Sequence, residues 1–333
     1  MPKIVTIAVD VMGGDQGPRS CIRACLKFLS TYSNTLIILI GDRAQILPHL
    51  PYPLPTALLV EHTEQNVLMS EKPSVALRHK RASSMAVAVA MVARGRAHAC
   101  VSSGNTGALM AFGLHYLQLK EGIERPAICK AMPSSKGICY LLDIGANAQC
   151  TALNLLQFAQ LGRDFAKVQG VVNPRIGLLN IGIEAQKGAN LQRAAADLMS
   201  SDSTLNFIGY VEGGDIYRSI ADVVVCDGFS GNILLKASEG AAELMGNSLR
   251  QAFNRHWWAR LSSFLMLPIL SDWRKQFDPS QYNGAQFLGL NGTIIKSHGG
   301  AGEVGFISAL RVALEQASSN ENTFNEKNMG IGE

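Results

Sequence analysis

The segment AHACVSSGNTGALM occupies residues 97–110 and contains an apolar run, a glycine loop and the start of a helical pattern. The run Ala97–Ser102 has the length of a buried strand, and Ser103–Gly107 has the composition of a turn. A buried strand that leads through a short loop into a helix is typical of parallel sheets, in which helices connect neighbouring strands. The segment therefore predicts an α/β fold.

The same unit of strand, loop and helix recurs along the chain. Continuous apolar strands that alternate with helices indicate a mostly parallel sheet with helices on both faces. Because loops at the carboxyl ends of parallel strands lie at one edge, we expect the glycine-rich loops to line one shared cleft. The alternative is that their glycines serve only tight turns. The other predicted strands are Ile4–Val9, Leu36–Ile40, Ala57–Val60, Ile138–Leu142, Ile176–Asn180, Val223–Cys226 and Thr293–Ser297.

The composition indicates one large folded unit. The chain has 333 residues, of which 47% are hydrophobic and only 17% are charged, and this excludes a disordered protein. A chain of this length buries roughly 70–75% of its unfolded surface, which is enough for a core without disulfides or metals. We expect a single α/β catalytic domain over residues 1–318, a helical hairpin that protrudes from it over residues 255–290, and a polar, flexible tail over residues 319–333.

Charge and cysteine content exclude several other classes of protein. The net charge of +4 is too small for a nucleic-acid-binding surface, so no nucleic-acid partner is expected. The seven cysteines include no Cys-x-x-Cys pair, which argues against a zinc site and favours a reduced, cytoplasmic protein. The start of the chain lacks the layout of a secretory signal. No run reaches the length of about 18 apolar residues that a membrane span requires.

The glycine loops predict an anion site. A loop that opens a helix directs free N–H groups and a partial positive charge at its ligand. The loop Ser103–Gly107 adds hydroxyl and amide donors, which suit a phosphate or a developing oxyanion. None of the loops matches the Walker A motif or G-x-G-x-x-G, so no nucleotide cofactor is expected. The residues predicted to bind phosphate or substrate are Asp10, Gly13, Gly14, Ser103, Gly104, Asn105, Thr106, Gly107, Asp143, Asn147, Asp227 and Gly231.

Three further residues are candidates for catalysis. Lys187 ends a loop just before a helix, where its charge would neutralise a phosphate or an oxyanion, although a lysine there can simply be solvated. Asn232 follows the loop Asp227–Gly231 and is either a donor to the reacting group or a helix N-cap. His298 follows a predicted strand and precedes two glycines. There it could donate a hydrogen bond to phosphate or act as an acid, and the alternative is a purely structural role. The loop aspartates are expected to orient backbone amides rather than to hold a metal.

An apolar segment with basic flanks differs from the rest of the chain. This segment, Arg255–Lys275, contains all three tryptophans and is interrupted by Pro268. The pattern fits two short helices whose apolar faces lie in a membrane interface, or whose basic residues attract an acidic protein. The alternative is a dimer interface or a buried hairpin. The candidate contact residues are Arg255, Trp257, Trp258, Arg260, Leu261, Phe264, Leu265, Leu267, Trp273, Arg274 and Lys275.

Several long motifs occur in a fixed order: Met12–Pro18, Ser103–Leu109, Asp143–Asn147, Leu178–Gly188, Val211–Gly213, Asp227–Lys236 and Leu288–Gly299. Together they resemble the PlsX family, the bacterial phosphate acyltransferases that use acyl carrier protein (ACP) as acyl donor. The resemblance covers most of the chain. The sequence departs from the usual family pattern at Asn283–Gln286 and at Gly299–Ala301.

The resemblance implies a fold related to isocitrate and isopropylmalate dehydrogenases, and a homodimer. It implies transfer of a fatty acyl group from ACP to inorganic phosphate. The product, acyl phosphate, would serve a membrane glycerol-3-phosphate acyltransferase in phospholipid synthesis. The protein would be cytoplasmic and peripherally associated with the inner face of the membrane. In this scheme the loop Gly104–Gly107 holds phosphate, Lys187 and His298 are its charge partners, and Asn232 contacts the thioester or the oxyanion.

Three other functions are kept as alternatives. A phosphotransacetylase-like enzyme would transfer an acyl group from coenzyme A to phosphate. A decarboxylating NAD-dependent dehydrogenase would need clustered aspartates and arginine clamps, and neither pattern is present in the sequence. A non-catalytic scaffold at the membrane surface would need only the apolar segment, and the polar glycine loops argue against it.

Overall fold

The computed structural model describes residues 4–184, 186–254 and 279–328. Its strands are β1 (Val5–Asp10), β2 (Thr35–Gly41), β3 (Leu58–His62), β4 (Ala99–Ser102), β5 (Ala127–Ser134), β6 (Gly137–Leu142), β7 (Arg175–Leu179), β8 (Asn206–Val211), β9 (Val223–Val225), β10 (Ala285–Leu288) and β11 (Thr293–Lys296). Its helices are α1 (Gly17–Thr31), α2 (Arg43–Ile46), α3 (Pro73–His79), α4 (Ser84–Ala93), α5 (Thr106–Tyr116), α6 (Ala152–Val168), α7 (Asn190–Ser201), α8 (Gly228–Asn254) and α9 (Glu303–Asn328).

The strands form one sheet of order β3-β2-β1-β4-β11-β10-β5-β6-β9-β7-β8. Neighbouring strands are parallel in both outer parts of the sheet. Within the described residues, antiparallel pairs occur only in its middle, at β11–β10, β10–β5 and β5–β6. Helices cover both faces, and apolar side chains fill the space beneath them. The predicted class, a mostly parallel α/β sheet, is confirmed.

The two outer parts of the sheet run in opposite directions, because β10 and β5 lie between them and reverse the chain. Pairing makes β3, β2, β1, β4 and β11 parallel to one another, whereas β6, β9, β7 and β8 point the other way. The expectation that all the glycine loops lie at one edge is therefore wrong. The loops after β1, β4 and β11 lie at one edge, and those after β6, β7 and β9 lie at the other.

Three strands lack a clear signal in the sequence. β5 contains Lys130 and Pro133, β8 is interrupted by Gly209, and β10 contains the buried polar side chain of Gln286. Tertiary pairing overrides these weak local preferences, because β5 and β10 are held by partners on both sides. The reversal of the sheet depends on β5 and β10, and so the direction of the outer strands was not predictable from the apolar runs.

Two predicted boundaries differ from the structure. The end predicted for the helical hairpin over residues 255–290 is wrong, because Ala285–Leu288 forms β10 in the middle of the sheet. Its residues 255–278, which include all the candidate membrane and carrier-protein contacts, lie outside the described residues. Helix α9 continues to Asn328, past the expected start of a flexible tail at residue 319. A helix already nucleated by packed residues extends at little cost into polar sequence.

Candidate functional site

A cavity of about 390 Å³, here called the central pocket, lies over the middle of the sheet where its two halves meet. Because the two oppositely directed halves of the sheet meet across the reversing strands β10 and β5, loops from opposite edges reach the same cavity. Thr106 and His298 come from one half of the sheet, and Gly145 and Asn232 come from the other. The lining residues are Thr106, Ile128, Lys130, Ile144, Gly145, Ala148, Gly228, Phe229, Asn232, Leu235, Lys236, Glu239, Asn283, Gly284, Ala285, Lys296, Ser297 and His298.

The charged residues that line the central pocket are mostly cationic. Lys130 on β5 and Lys236 on α8 each place Nζ 2.9 Å from an oxygen of Glu239, and Lys296 is at the end of β11. Burial would raise the pKa of Glu239, but Lys130 and Lys236 outweigh that effect and hold the pKa below its ordinary value. Three lysines and one ionised carboxylate therefore line the cavity, and the excess positive charge favours an anionic ligand.

Lys296 connects the end of β11 with the loop after β4. Its ammonium donates hydrogen bonds to the carbonyl oxygens of Ser103, at 3.2 Å, and Ser297. Burial lowers the pKa of Lys296 from 10.5 to about 8, although the nearby carboxylates of Asp10 and Asp15 act in the opposite direction. A lysine at this position changes its charge just above neutral pH.

The loop at His298 is positioned by Asn283. The side-chain oxygen of Asn283 accepts the N–H of His298 at 2.9 Å, while its amide nitrogen donates to Ser297 Oγ and to the Gly305 carbonyl, both at 2.8 Å. Nδ1 of His298 accepts the N–H of Gly300 at 3.1 Å, so the neutral imidazole carries its proton on Nε2. Burial, together with Lys236, lowers the pKa of His298 and favours this neutral form.

The predicted loop residues after β1 and β4 contact one another. Ser102 Oγ donates to Asp10 Oδ2 at 2.6 Å and accepts the N–H of Gly104 at 3.1 Å. Ser103 Oγ donates to the carbonyl of Gly13 at 2.8 Å. Burial raises the pKa of Asp10, and hydrogen bonds from Ser102 and neighbouring groups partly offset the effect. These residues form a hydrogen-bonded support beside the central pocket, which it contacts through Lys296.

Gly14 needs both its φ of +88° and its missing side chain, since a Cβ there would lie 2.5 Å from Ser103 Oγ. In the same support, Asn105 caps α5 by accepting the N–H of Ala108 at 3.0 Å. Its amide nitrogen donates to the carbonyl of Met69 at 2.8 Å. The cap directs the start of α5, and thereby Thr106, towards the central pocket. Gly107 packs against the ring of Pro73.

Asp143 organises the loop after β6. Its fully buried carboxylate accepts backbone N–H groups of Ile128, Gly145, Ala146 and Asn147 at 2.7–3.2 Å, and the side-chain amide of Asn147 at 3.0 Å. Burial raises the pKa of Asp143, while these donors lower it. The expected role of this aspartate, to orient backbone amides, agrees with the geometry.

The first turn of α8 packs directly against the loop after β6. A Cβ at Gly231 would lie 1.9 Å from the carbonyl oxygen of Asp143, so this position has no room for any other residue. Asp227 Oδ1 accepts the N–H of Ser230 at 2.9 Å, and its Oδ2 accepts the hydroxyl of the same serine at 2.8 Å. Asn232 lies inside the helix, which begins at Gly228, and so it is not the N-cap. Its side chain borders the central pocket.

Lys187 does not line the central pocket. Its Nζ lies 2.8 Å from Glu184 Oε1, and both side chains are 52% exposed. The hydrogen bond that Lys187 donates to Glu184 raises the pKa of Lys187. The structure therefore brings Asn232 and His298 together at one cavity and places Lys187 outside it, in the loop after β7.

Sequence reasoning missed the residues that set the charge of the central pocket. These are Lys130, Lys236, Glu239, Lys296 and the positioning residue Asn283. The sequence offers one indication of them, which is Lys296 near the end of the apolar run Thr293–Ser297. A charged residue in such a run must reach a partner or solvent.

Across residues 4–184, 186–254 and 279–328, no three His, Cys, Asp or Glu side chains are grouped as a metal site would require. Over the same residues, no helix combines the length and the apolar character needed to cross a bilayer.

Comparison with solved structures shows the fold. A phosphotransacetylase from Streptococcus pyogenes superimposes with a TM-score of 0.61 at 16% identity, covering 94% of each chain. A branched-chain phosphotransacylase from Enterococcus faecalis gives 0.58 at 15% identity, covering 94% of this chain and 99% of its own. A 4-hydroxythreonine-4-phosphate dehydrogenase from Klebsiella pneumoniae gives 0.56 at 12% identity, covering 95% and 100%.

Comparison at the level of sequence shows the family. The family model described as "Fatty acid synthesis protein" matches residues 5–323. The phosphate acyltransferase of Saccharophagus degradans is 48% identical over 320 residues, 96% of this chain and 94% of that protein. The phosphate acyltransferase of Pseudomonas aeruginosa is 48% identical over 317 residues, 94% of each. The chain therefore belongs to the fatty acid synthesis protein family, the PlsX family that its motifs resemble, and is an enzyme.

Proposed function

We propose that the protein transfers a fatty acyl group from ACP to inorganic phosphate. A phosphate oxygen attacks the thioester carbonyl, the carbon–sulfur bond breaks, and the products are acyl phosphate and the free carrier thiol. The hydrogen of HPO₄²⁻ ends on the thiol, so atoms and charge balance without a co-reactant. The observation that carries this proposal is the cationic central pocket, which Lys130, Lys236 and Lys296 line together with one carboxylate, that of Glu239.

The central pocket suits the nucleophile. Phosphate is already an anion, so the main task of the protein is to hold it beside the acyl carbon in a fixed orientation. The three lysines would provide charge, and Nε2 of the neutral His298 would donate a hydrogen bond without adding a second titrating cation. The loop Gly104–Gly107 supports this site through Thr106, which lines it. This assignment places phosphate nearer to the lysines than the sequence motifs alone suggested.

The same pocket offers groups for the tetrahedral intermediate. The amide of Asn232 and the amino-terminal turn of α8 face the cavity, and both favour negative charge. Donors already aimed at the developing oxyanion stabilise the transition state more than the ground state. Asn232 is therefore assigned to the oxyanion. Lys187 is retained as a further candidate for neutralising the charge of phosphate. It is tested separately, because it lies outside the cavity.

We further propose a homodimer that takes its acyl donor from carrier protein and works at the inner face of the membrane in the cytoplasm. The support is the basic and aromatic sequence between Arg255 and Lys275. Acyl phosphate is an activated, amphipathic product, so release near lipid would deliver it to the membrane glycerol-3-phosphate acyltransferase for phosphatidic acid synthesis.

One experiment tests the reaction. The purified protein is incubated with palmitoyl-ACP and inorganic phosphate, and acyl phosphate is measured by mass spectrometry. We expect phosphate-dependent formation of palmitoyl phosphate, and a loss of roughly 10²–10³-fold in rate for Asn232→Ala. Acetyl-coenzyme A as the sole effective donor would support the phosphotransacetylase-like alternative. Lipid binding without any thioester cleavage would support the scaffold.

A second experiment tests membrane association. Flotation with vesicles of anionic phospholipid is compared for the unmodified protein and for a variant with Trp258, Phe264 and Leu265 all changed to Glu. We expect the variant to leave the vesicles, because carboxylates oppose insertion of an apolar face next to anionic lipid. Undiminished flotation would assign the segment to another contact, such as the dimer.

A further inference from the structure

A second cavity lies beside the central pocket, and we propose that it holds the hydrocarbon chain of the acyl donor. This cavity, the acyl groove, has a volume of about 880 Å³ and lies between Ala131–Pro133 of β5 and Ala237–Met245 of α8. The inference rests on the proposed acyl transfer. It adds the position of the chain and the residues that limit its length.

The acyl groove and the central pocket share a wall. Lys130, Leu235 and Glu239 line both cavities. A thioester whose carbonyl lies beside the lysines of the central pocket can therefore direct its chain over Leu235 into the groove. The ion pair of Lys130 with Glu239 lies at this junction, where the polar head of the substrate meets its apolar tail.

The lining of the acyl groove suits a hydrocarbon. Met132 is buried at its base, and the small side chains of Ala241 and Ala242 leave the space along α8 open. Ligand sites typically enclose roughly 300–1,000 Å³, and the groove lies in the upper part of that range. Each methylene that moves from water into such a site strengthens binding by about fourfold. An acetyl group would therefore gain little binding affinity from this surface, whereas a long hydrocarbon chain would gain much.

The groove also has the length that a long chain requires. Between Leu235 at the shared wall and Met245 at the far end, α8 rises about 15 Å. Met245 is 66% exposed, so it borders the open end of the groove rather than the core. A bulky residue at position 241, between these two, should therefore shorten the chain that the groove accepts.

The decisive experiment measures chain-length preference. Ala241→Phe places an aromatic ring in the groove, and Leu244→Phe is the matched control because Leu244 is 68% exposed on the same helix and does not line it. Turnover is measured with palmitoyl-ACP and with butyryl-ACP. We expect Ala241→Phe to lower the palmitoyl-to-butyryl ratio by about tenfold or more, since several methylenes lose their site, and Leu244→Phe to leave the ratio unchanged.

A readout without catalysis separates this inference from the proposed reaction. Binding of a fluorescent long-chain fatty acid should weaken in Ala241→Phe and not in Leu244→Phe. If the unmodified protein forms no acyl phosphate from any donor, the reaction is refuted while the groove is still judged by this probe.

Two controls keep the result decisive. Circular dichroism checks the fold, and Ala242→Leu replaces Ala241→Phe if the larger residue prevents folding. An unchanged ratio and unchanged probe binding in a folded variant would overturn the inference. If the variant instead alters the oligomeric state by light scattering and leaves both readouts unchanged, the groove is covered by a second copy of the chain.

Discussion

Lys130 Nζ and Glu239 Oε1 lie 2.9 Å apart and join β5, one of the reversing strands, to the middle of α8. Both side chains are largely shielded from solvent, with 11% and 23% of their surfaces exposed. Partly buried charge pairs are screened less by salt than surface pairs. The pair therefore fixes the position of one cation at the boundary between the central pocket and the acyl groove.

Replacing this cation should weaken phosphate binding. In Lys130→Gln the central pocket loses one positive charge, and a hydrogen bond to a charged group contributes about 1.5–3 kcal/mol. We expect KM for phosphate to rise roughly 10–100-fold in steady-state assays. Lys27→Gln is the control, because Lys27 is 64% exposed and pairs with Glu303 on the outside of the fold. An unchanged KM in a folded Lys130→Gln protein would place phosphate elsewhere.

The affinity for phosphate should depend on pH through Lys296. Its pKa of about 8 means that the side chain is cationic below that pH and neutral above it. KM for phosphate should therefore increase as pH rises from 7 to 9. Lys296→Arg keeps its charge over this range and should remove most of the increase. The ionisation of phosphate itself is common to both proteins, so identical pH profiles would contradict the assignment.

The same lysine should reduce stability. Its pKa falls from 10.5 in the unfolded chain to about 8 in the fold, so the unfolded state binds more protons between these values. The destabilisation is complete below pH 8, at most about 3 kcal/mol, and disappears as pH rises towards 10.5. Lys296→Met should therefore raise the free energy of unfolding at pH 7, with a smaller gain at pH 10. Urea denaturation at both values measures this, and a gain that grows with pH would refute it.

Gly231 should not tolerate alanine. The added Cβ would overlap the carbonyl oxygen of Asp143, so either α8 or the loop after β6 must move. We expect Gly231→Ala to lower the melting temperature and to reduce kcat, because Asn232 moves with the helix. Gly246→Ala is the matched control on the same helix, where a Cβ meets nothing within 4 Å. That control should be neutral or stabilising by up to about 1 kcal/mol.

Two of the three candidate catalytic residues, Asn232 in the central pocket and Lys187 outside it, can be compared directly. Asn232→Ala should lower kcat by roughly 10²–10³-fold without loss of fold, because it removes a donor to the oxyanion, and an equal loss in Lys187→Ala would show that the loop after β7 also acts on the reacting group. Single-turnover rates at saturating phosphate measure this effect. Because Lys187 is exposed and paired with Glu184, a near-normal rate for its variant would restrict the catalytic assignment to the central pocket.

Much of the candidate site was predictable because it is local. Asp10 accepts the N–H of Met12, and Asp143 accepts those of Ala146 and Asn147, so these aspartates organise their own loops by short-range hydrogen bonds whose pattern is visible in the sequence. The charge of the central pocket was not predictable. Lys130, Lys236 and Lys296 are far apart in the chain, and only their pairing with Glu239 or burial near Asp10 gives them a shared role.

The sequence by itself determined the repeated unit of apolar strand, glycine loop and helix, since strand burial, tight turns and helix starts depend on neighbouring residues. Only the tertiary structure decided how these units face one another. Strands β10 and β5 reverse the direction of half the sheet, and the antiparallel pair that they form joins segments distant in sequence, which no local preference encodes. That reversal brings Thr106 and His298 from one edge to the same cavity as Gly145 and Asn232 from the other.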